Sequence, residues 1–318
     1  MTITTIIGKR RMKMIKVFEA FAGIGTQRMA LKNIGVEHEV VGISEIDKFA
    51  IKSYMAIHGE TKNFGDISKI EYDKLPDFDL FTYSFPCQDV SVAGEGRGLK
   101  QDSGTRSSLL WDCQDIIEAK RPKYLLMENV KNLVGKKHKD QFDKWLDILS
   151  DLGYTNYWQV INAKDYGIPQ NRERVFVVSI RKDVDNGYVF PEPLGCDNLD
   201  FRDYLSEDGF YLEPSDYDKV KGLGAKYSFG GVVKDNTSIY NTITASYGKV
   251  SGNSMKFTYH DKYRYLKPVE CWRLMGISDE DFSKAEKVNS NTQLYKQAGN
   301  AIVVDVLEGI FEKLLRRD

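Results

Sequence analysis

From Ile15 to about Arg181 the apolar positions switch repeatedly between two periods. "IKVFEAF", "HEVVGIS", "DLFTYS", "KYLLMEN", "NYWQVIN" and "RVFVVSI" are short runs rich in β-branched and aromatic residues, and each predicts a strand. Between them the spacing turns helical. "TQRMALKNIG" predicts a helix closed by Gly35, and "DKFAIKSYMAIHG" one opened by Asp47 as N-cap and closed by Gly59. A third helix runs from about Ser107 to Lys120, and "DQFDKWLDILSDLG" makes a fourth, amphipathic one. Strands separated by helices of this length predict an α/β fold with a doubly wound, mostly parallel sheet.

Past Asp183 the pattern breaks. Residues 192–218 hold nine acids and one arginine, whereas 219–264 hold eight Lys/Arg and two acids amid many Gly, Ser, Thr and Tyr. That shift predicts a small, loop-rich lobe with a basic, hydrogen-bonding surface. Helical spacing returns with "KPVECWRLMG". In "NAIVVDVLEGIFEKLL" the residues Ile302, Val303, Val306, Leu307, Ile310, Phe311 and Leu314 form one apolar stripe, expected to dock on the first domain. The expected organisation is a flexible arm (1–14), an α/β domain (15–184), a smaller lobe (185–262) and helices that return to complete the first domain (263–318).

Composition narrows the class. Hydrophobic residues make up 42% and charged residues 29%, an ordinary globular balance. No apolar run reaches the roughly 20 residues needed to cross a bilayer. The basic cluster in "MTITTIIGKRRMKM" follows the apolar part, the wrong order for a secretory signal, so a cytoplasmic protein is expected. Cys87, Cys113, Cys196 and Cys271 lie far apart without a CxxC pair, which argues against a disulfide framework or structural zinc. A net charge of −1 leaves any polyanion site to local asymmetry.

Four stretches carry chemistry. "FEAFAGIGTQ" places Gly23 and Gly25 where the first strand turns into the first helix, either a tight turn or a backbone a ligand can approach. The third glycine of a dinucleotide fingerprint is replaced by Arg28, which weakens a pyrophosphate reading. Glu45, about 20 residues on, stands where an acid holds ribose hydroxyls, and Asp66 in "GDIS" is placed to accept from an adenine amine. Together they favour an adenosine cofactor without a required diphosphate, and S-adenosylmethionine fits. "SFPCQ" puts Cys87 after Pro86 at the sheet's carboxyl edge, as either a buried filler or a preorganised nucleophile. "LLMENVKNL" ends a strand in Glu128, an acid costly to bury without a partner or a task. In "YGIPQNRERVFVVS", Arg172 and Arg174 share one strand face, as a solvated edge or as groups that pair with Glu128 or grip a substrate.

In order, "FAGIG", "EID", "GDI", "FPCQ", "GTRSSLLWD", "ENVKNL", "YGIPQNRER", "YRYLKPVECWRLMG" and "QAGNAIVVDV" span about residues 16–315. The chain resembles a C5-cytosine-specific DNA methyltransferase of the bacterial and phage restriction–modification type. The resemblance implies a Rossmann-like S-adenosylmethionine-dependent fold with a target-recognition domain at 185–262. It implies DNA (cytosine-5-)-methyltransferase activity on a cytosine flipped out of double-stranded DNA. Cys87 would add to C6, Glu128 would hold N3 and the exocyclic amine, and Arg174 would bond the base carbonyl, with Arg172 beside it. Cofactor residues carried over are Phe21, Gly23, Gly25, Glu45, Ile46, Asp66, Pro86, Leu110 and Asn300, with Ile46 where the family often has an aromatic. S-adenosylhomocysteine would be the product, and no metal is implied. DNA contacts are expected from Gln88, Ser91, Arg97, Arg106, Lys226, Thr244 and Lys249. Segment 91–106 would act as a lid with glycine hinges and with Arg97, Lys100 and Arg106 toward phosphate. A monomer is expected, with a restriction endonuclease as possible functional companion. A tRNA-methylating relative is the nearest rival, but its Cys-Phe-Thr tripeptide is absent. A silent DNA-binding relative and a Rossmann oxidoreductase are weaker alternatives.

Overall fold

The computed structural model describes residues 14–86, 109–211, 232–233, 237–247, 256–260 and 262–315. Cys87, Gln88, Ser91, Arg97, Arg106, Lys226 and Lys249 lie outside the described residues, as do the lid segment and the N-terminal arm up to residue 13.

Six strands form the main sheet: β1 (Ile15–Ala20), β2 (His38–Ser44), β3 (Leu80–Tyr83), β4 (Tyr124–Val130), β5 (Tyr154–Asn162) and β7 (Glu173–Arg181), in the order β2-β1-β3-β4-β7-β5. β2, β1, β3 and β4 run parallel, joined through helices α1 (Thr26–Asn33), α2 (Lys48–His58) and α3 (Leu109–Lys120). β7 runs antiparallel to both β4 and β5. Connection length explains the reversal. α4 (Lys139–Asp151) carries the chain across from β4 to a parallel β5, whereas only residues 163–172 separate β5 from β7. That link includes the two-residue strand β6 (Gln170–Asn171) and is too short for a crossover, so β7 folds back and fills the gap. The mostly parallel, doubly wound expectation holds, with this one strand reversed.

The local signals behave as their chemistry dictates. Asp47 caps α2 by accepting from the Phe49 and Ala50 N–H groups, and Gly59 closes it at φ +83°. Gly35 follows α1 at φ +69°. The last helix, Val304–Leu315, buries Val306, Leu307, Ile310, Phe311 and Leu314 in one cluster with Met29, Ala30 and Leu31 of α1. This is the docking that the apolar stripe predicted. A second core on the opposite face joins Phe18, Phe81, Tyr83, Met127 and Val177 to Ile116, Phe142 and Trp145.

Beyond residue 200 a four-stranded sheet forms in the order β8 (Phe210–Tyr211), β12 (Lys262–Tyr265), β11 (Lys256–Tyr259), β9 (Val232–Val233). A two-residue strand, β10 (Tyr240–Asn241), pairs with β6. Both β2 and β3 pair with β1, on opposite sides, so the chain's path changes direction at the carboxyl ends of β1 and β3. A crevice at such a point is where open α/β sheets bind ligands.

Candidate active site

The turn after β1 lies at this crevice. Phe21 (φ +53°), Gly23 (φ +56°) and Gly25 (φ +78°) all take left-handed backbone. A Cβ at Gly25 would stand 2.5 Å from His58 Nε2 and 2.6 Å from a Tyr54 ring carbon, so this glycine lets the turn pack on α2. At Gly23 nothing lies within 4 Å of the Cβ position, which leaves open space beside the backbone. The Gly23 N–H donates to Glu45 Oε2 at 2.8 Å, and Glu45 Oε1 accepts from the Ile46 and Asp47 N–H groups at 2.8 Å each. These bonds orient the carboxylate and leave lone pairs over for further donors.

Ile46 next door is 73% exposed, a large apolar side chain standing free at the crevice. Asn63 ties this corner together: its Nδ2 donates to the Glu45 carbonyl, and its Oδ1 accepts from the Glu45 and Gly65 N–H groups. Asp66 caps a short turn at Ile67–Lys69, and its pKa is lowered chiefly by the Ser68 hydroxyl. Leu110, expected at the cofactor, is buried within the second core.

Beneath the turn lies a group that pattern reading passed over. Glu19 points from β1 toward α2 with no exposed surface, its Oε2 accepting from the Tyr54 hydroxyl at 2.6 Å. Burial raises its pKa to about 7 against the opposing pull of that hydroxyl and of Arg28. His58 bonds the Ile24 carbonyl at 3.0 Å, and burial lowers its pKa to about 3, so the ring is neutral and donates. An acid in the middle of "VFEAF" was the available signal.

Glu128 stands at the other wall. Register places Phe176 opposite Glu128 and Arg174 opposite Val130, so Glu128 and Arg174 share one face on neighbouring strands. Arg174 Nε lies 3.1 Å from Glu128 Oε1. Burial raises the Glu128 pKa, while the Arg174 and Arg172 charges and the Ser84 hydroxyl pull it back. Asn129 reaches from the same strand end to donate to the Phe85 carbonyl at 3.0 Å, and its own oxygen accepts from Val130 N–H. The segment that leads to Pro86 is thereby fastened to the strand carrying Glu128.

Arg172 departs from the expectation of a group beside the substrate. It is 3% exposed, and its guanidinium donates to three backbone carbonyls: Ile243 (2.9 Å), Gly299 (3.0 Å) and Ala301 (2.8 Å). The C-terminal segment captures it here, while its charge still acts on Glu128. Thr244 and Asn300, from different parts of the sequence, follow Ile243 and Gly299 and are both exposed. Three groups of expected residues thus gather around one sheet edge: the glycine turn with Glu45 and Ile46, Glu128 with Arg174, and Thr244 with Asn300.

The family model for C-5 cytosine-specific DNA methylase matches residues 15–316. This chain belongs to the C5-cytosine-specific DNA methyltransferase family. Methyltransferases of this family act on DNA and generally use S-adenosylmethionine as methyl donor. The chain is 45% identical to the type II methyltransferase M2.ScrFI of Lactococcus lactis subsp. cremoris, over 95% of this chain and 99% of that one. It is 30% identical to the orphan methyltransferase M.SPBetaI of Bacillus phage SPbeta, over 96% and 98%. Among solved structures, the S. pombe Dnmt2 methyltransferase superposes with a TM-score of 0.76 at 21% identity, covering 96% of this chain and 99% of that one. The Entamoeba histolytica methyltransferase EhMeth gives 0.79 at 21% identity, over 96% and 98%. These two support the fold. The protein is a DNA (cytosine-5-)-methyltransferase, similar to those of type II restriction–modification systems. Among the described residues no helix is long and apolar enough to cross a membrane.

Proposed function

We propose that this methyltransferase flips a cytosine out of double-stranded DNA, attacks its C6 with Cys87 and methylates C5 from S-adenosylmethionine. The observation that carries this reading is Glu128: a buried strand-end carboxyl held by Arg174 Nε at 3.1 Å, on the strand that fastens Phe85 just before Pro86 and Cys87.

The residues fit the cofactor. Open space at Gly23, an oriented Glu45 carboxylate and the exposed Ile46 suit an adenosine, with Asp66 toward the adenine amine and Asn300 closing the far side. When bound, S-adenosylmethionine supplies an electrophilic methyl on a sulfonium. Adding the Cys87 sulfur to C6 makes C5 nucleophilic toward that methyl. Glu128, with its raised pKa, donates a proton to N3 as negative charge develops on the ring. Arg174 orients Glu128 and bonds the base carbonyl. Loss of the C5 proton to solvent, return of the N3 proton to Glu128 and breaking of the sulfur–C6 bond then restore the ring and release the thiolate. The target carbon is closed off inside a duplex, hence the flip.

The lobe at 185–262 is the target-recognition region, with Thr244 on the DNA backbone, and 263–318 completes the catalytic domain. The enzyme works as a cytoplasmic monomer, alone or beside an endonuclease. The test is trapping on a duplex containing 5-fluorocytosine, whose fluorine cannot leave as a proton does. A covalent adduct with duplex DNA, lost in Cys87→Ser and not formed with a tRNA pool, is the expected result. No Cys87-dependent adduct overturns the reading.

A further inference from the structure

The stretch Gln170–Arg172 binds two segments that ordinary chain order keeps apart. Gln170 has no exposed surface, and both ends of its amide are engaged. Its Nε2 donates to the Leu274 carbonyl at 2.7 Å, and its Oε1 accepts from the Ile243 N–H at 3.0 Å. Arg172 takes the Ile243 carbonyl, so both polar backbone groups of the residue before Thr244 are held by this one stretch. The same guanidinium holds Gly299 and Ala301, the carbonyls on either side of Asn300. Gly299 closes the contact. A Cβ there would lie 2.1 Å from the Ala245 nitrogen and 2.2 Å from the Thr244 carbonyl carbon, so the helix end and the Thr244 turn touch backbone to backbone. Tyr247 and Tyr295 reinforce the junction from both sides, bonding the Leu266 N–H and carbonyl respectively.

We propose that Gln170 and Arg172 are positioning residues, a buried clasp that couples occupancy at Asn300 to docking of DNA at Thr244. The inference rests on the cofactor-side and DNA-side roles given above to those two exposed residues. Its physical basis is the sharing of one buried cation. The Arg172 guanidinium donates to the 243 and 299–301 segments at once, so withdrawing either costs hydrogen bonds of a buried charged group. A ligand that fixes Asn300 therefore fixes the Thr244 turn, and the reverse holds equally.

The experiment measures the affinity of a duplex carrying the enzyme's own target, located by bisulfite sequencing, with and without saturating S-adenosylhomocysteine. It also measures S-adenosylhomocysteine affinity with and without that duplex. The wild type is expected to show about tenfold mutual tightening, equal in both directions. Arg172→Lys, which keeps the charge and loses the planar fork, brings the factor to about twofold or less while each ligand alone binds within about threefold of wild type. A second readout needs no variant: S-adenosylhomocysteine slows amide exchange in residues 240–247 of the wild type more than in 154–162. Equal coupling in wild type and Arg172→Lys, or exchange at 240–247 indifferent to S-adenosylhomocysteine, overturns the clasp. Failure of the underlying reading looks different, because Asn300→Ala would then leave S-adenosylhomocysteine affinity unchanged and Thr244→Ala would leave DNA affinity unchanged.

Discussion

Glu128 is a carboxyl under two opposed influences. Burial drives its pKa up, and the two arginines with the Ser84 hydroxyl drive it down, leaving it above the usual carboxylate range. In the proposed mechanism such a carboxyl hands a proton to the ring nitrogen during attack and is oriented by Arg174. Glu128→Gln keeps the shape and removes the transferable proton. Single-turnover methyl transfer is expected to fall by about 10²–10⁴-fold, while S-adenosylhomocysteine affinity stays within about twofold. A rate within fivefold of wild type would remove Glu128 from proton transfer. Ile46 offers a test of the opposite sign. It stands 73% exposed beside Glu45, the acid proposed to hold the ribose, apolar but not flat. Ile46→Trp puts an aromatic face there, and stacking is worth about 0.5–1.5 kcal/mol. Calorimetry is expected to show S-adenosylhomocysteine binding tightened about two- to tenfold, and unchanged or weaker binding would place the adenine elsewhere.

At the scale of elements, the site is a product of strand ends tied to one another by side chains. β3 and β4 are parallel neighbours, and Asn129 bridges their carboxyl ends by holding the Phe85 carbonyl. Asn129→Ala leaves that carbonyl and the Val130 N–H without this partner, at a cost of about 1–3 kcal/mol in stability. Because Cys87 is only two residues past Phe85, adduct formation on 5-fluorocytosine duplex should slow by about tenfold or more; rapid trapping in a folded variant would refute the tie. None of this bridge was legible in the sequence, and the reason is physical. Strand period, N-caps and helix-ending glycines are local, so Asp47, Gly59 and the apolar run of β4 declared themselves. Glu128 declared itself because a strand-end acid needs a partner. Asn63, Ser84 and Asn129 bond across the fold, and no period records that. Arg172 and Arg174 looked equivalent because alternation places both on one face. What separates them is the segment 299–301, more than 120 residues away in the chain, whose Gly299 and Ala301 carbonyls take the Arg172 guanidinium. Glu19 was hidden for the converse reason: one acid does not disturb an otherwise apolar strand.

Across the whole molecule, buried charge links the parts. Arg264 of β12 and Glu270 of the helix Pro268–Arg273 pair with no side-chain exposure, joining the small sheet to the C-terminal helices. Gly209 makes room, since a Cβ there would meet Arg264 Cζ at 2.7 Å. Glu19, buried beneath the glycine turn and bonded to the Tyr54 hydroxyl, instead holds its proton and makes stability depend on pH. Its folded pKa of about 7 lies above the ordinary carboxyl value of 4.5, so the folded state holds this proton where the unfolded chain has released it. The stabilisation is complete below pH 4.5, declines as pH rises and is gone above about 7. That difference in proton affinity corresponds to about 3 kcal/mol. Glu19→Gln accepts from the Tyr54 hydroxyl as the acid does and cannot ionise. Urea unfolding at pH 5, 6, 7 and 8 should therefore show the variant gaining on wild type steadily, by about 2–3 kcal/mol between the extremes. Asp305, with its pKa raised to about 6 by burial, titrates alike in both proteins and cancels from the difference. A wild-type-minus-variant difference that stays flat from pH 5 to 8 would mean Glu19 is already ionised in the folded protein. The buried Tyr54 hydroxyl and Arg28 would then be stabilising an anion beneath the glycine turn rather than a neutral acid.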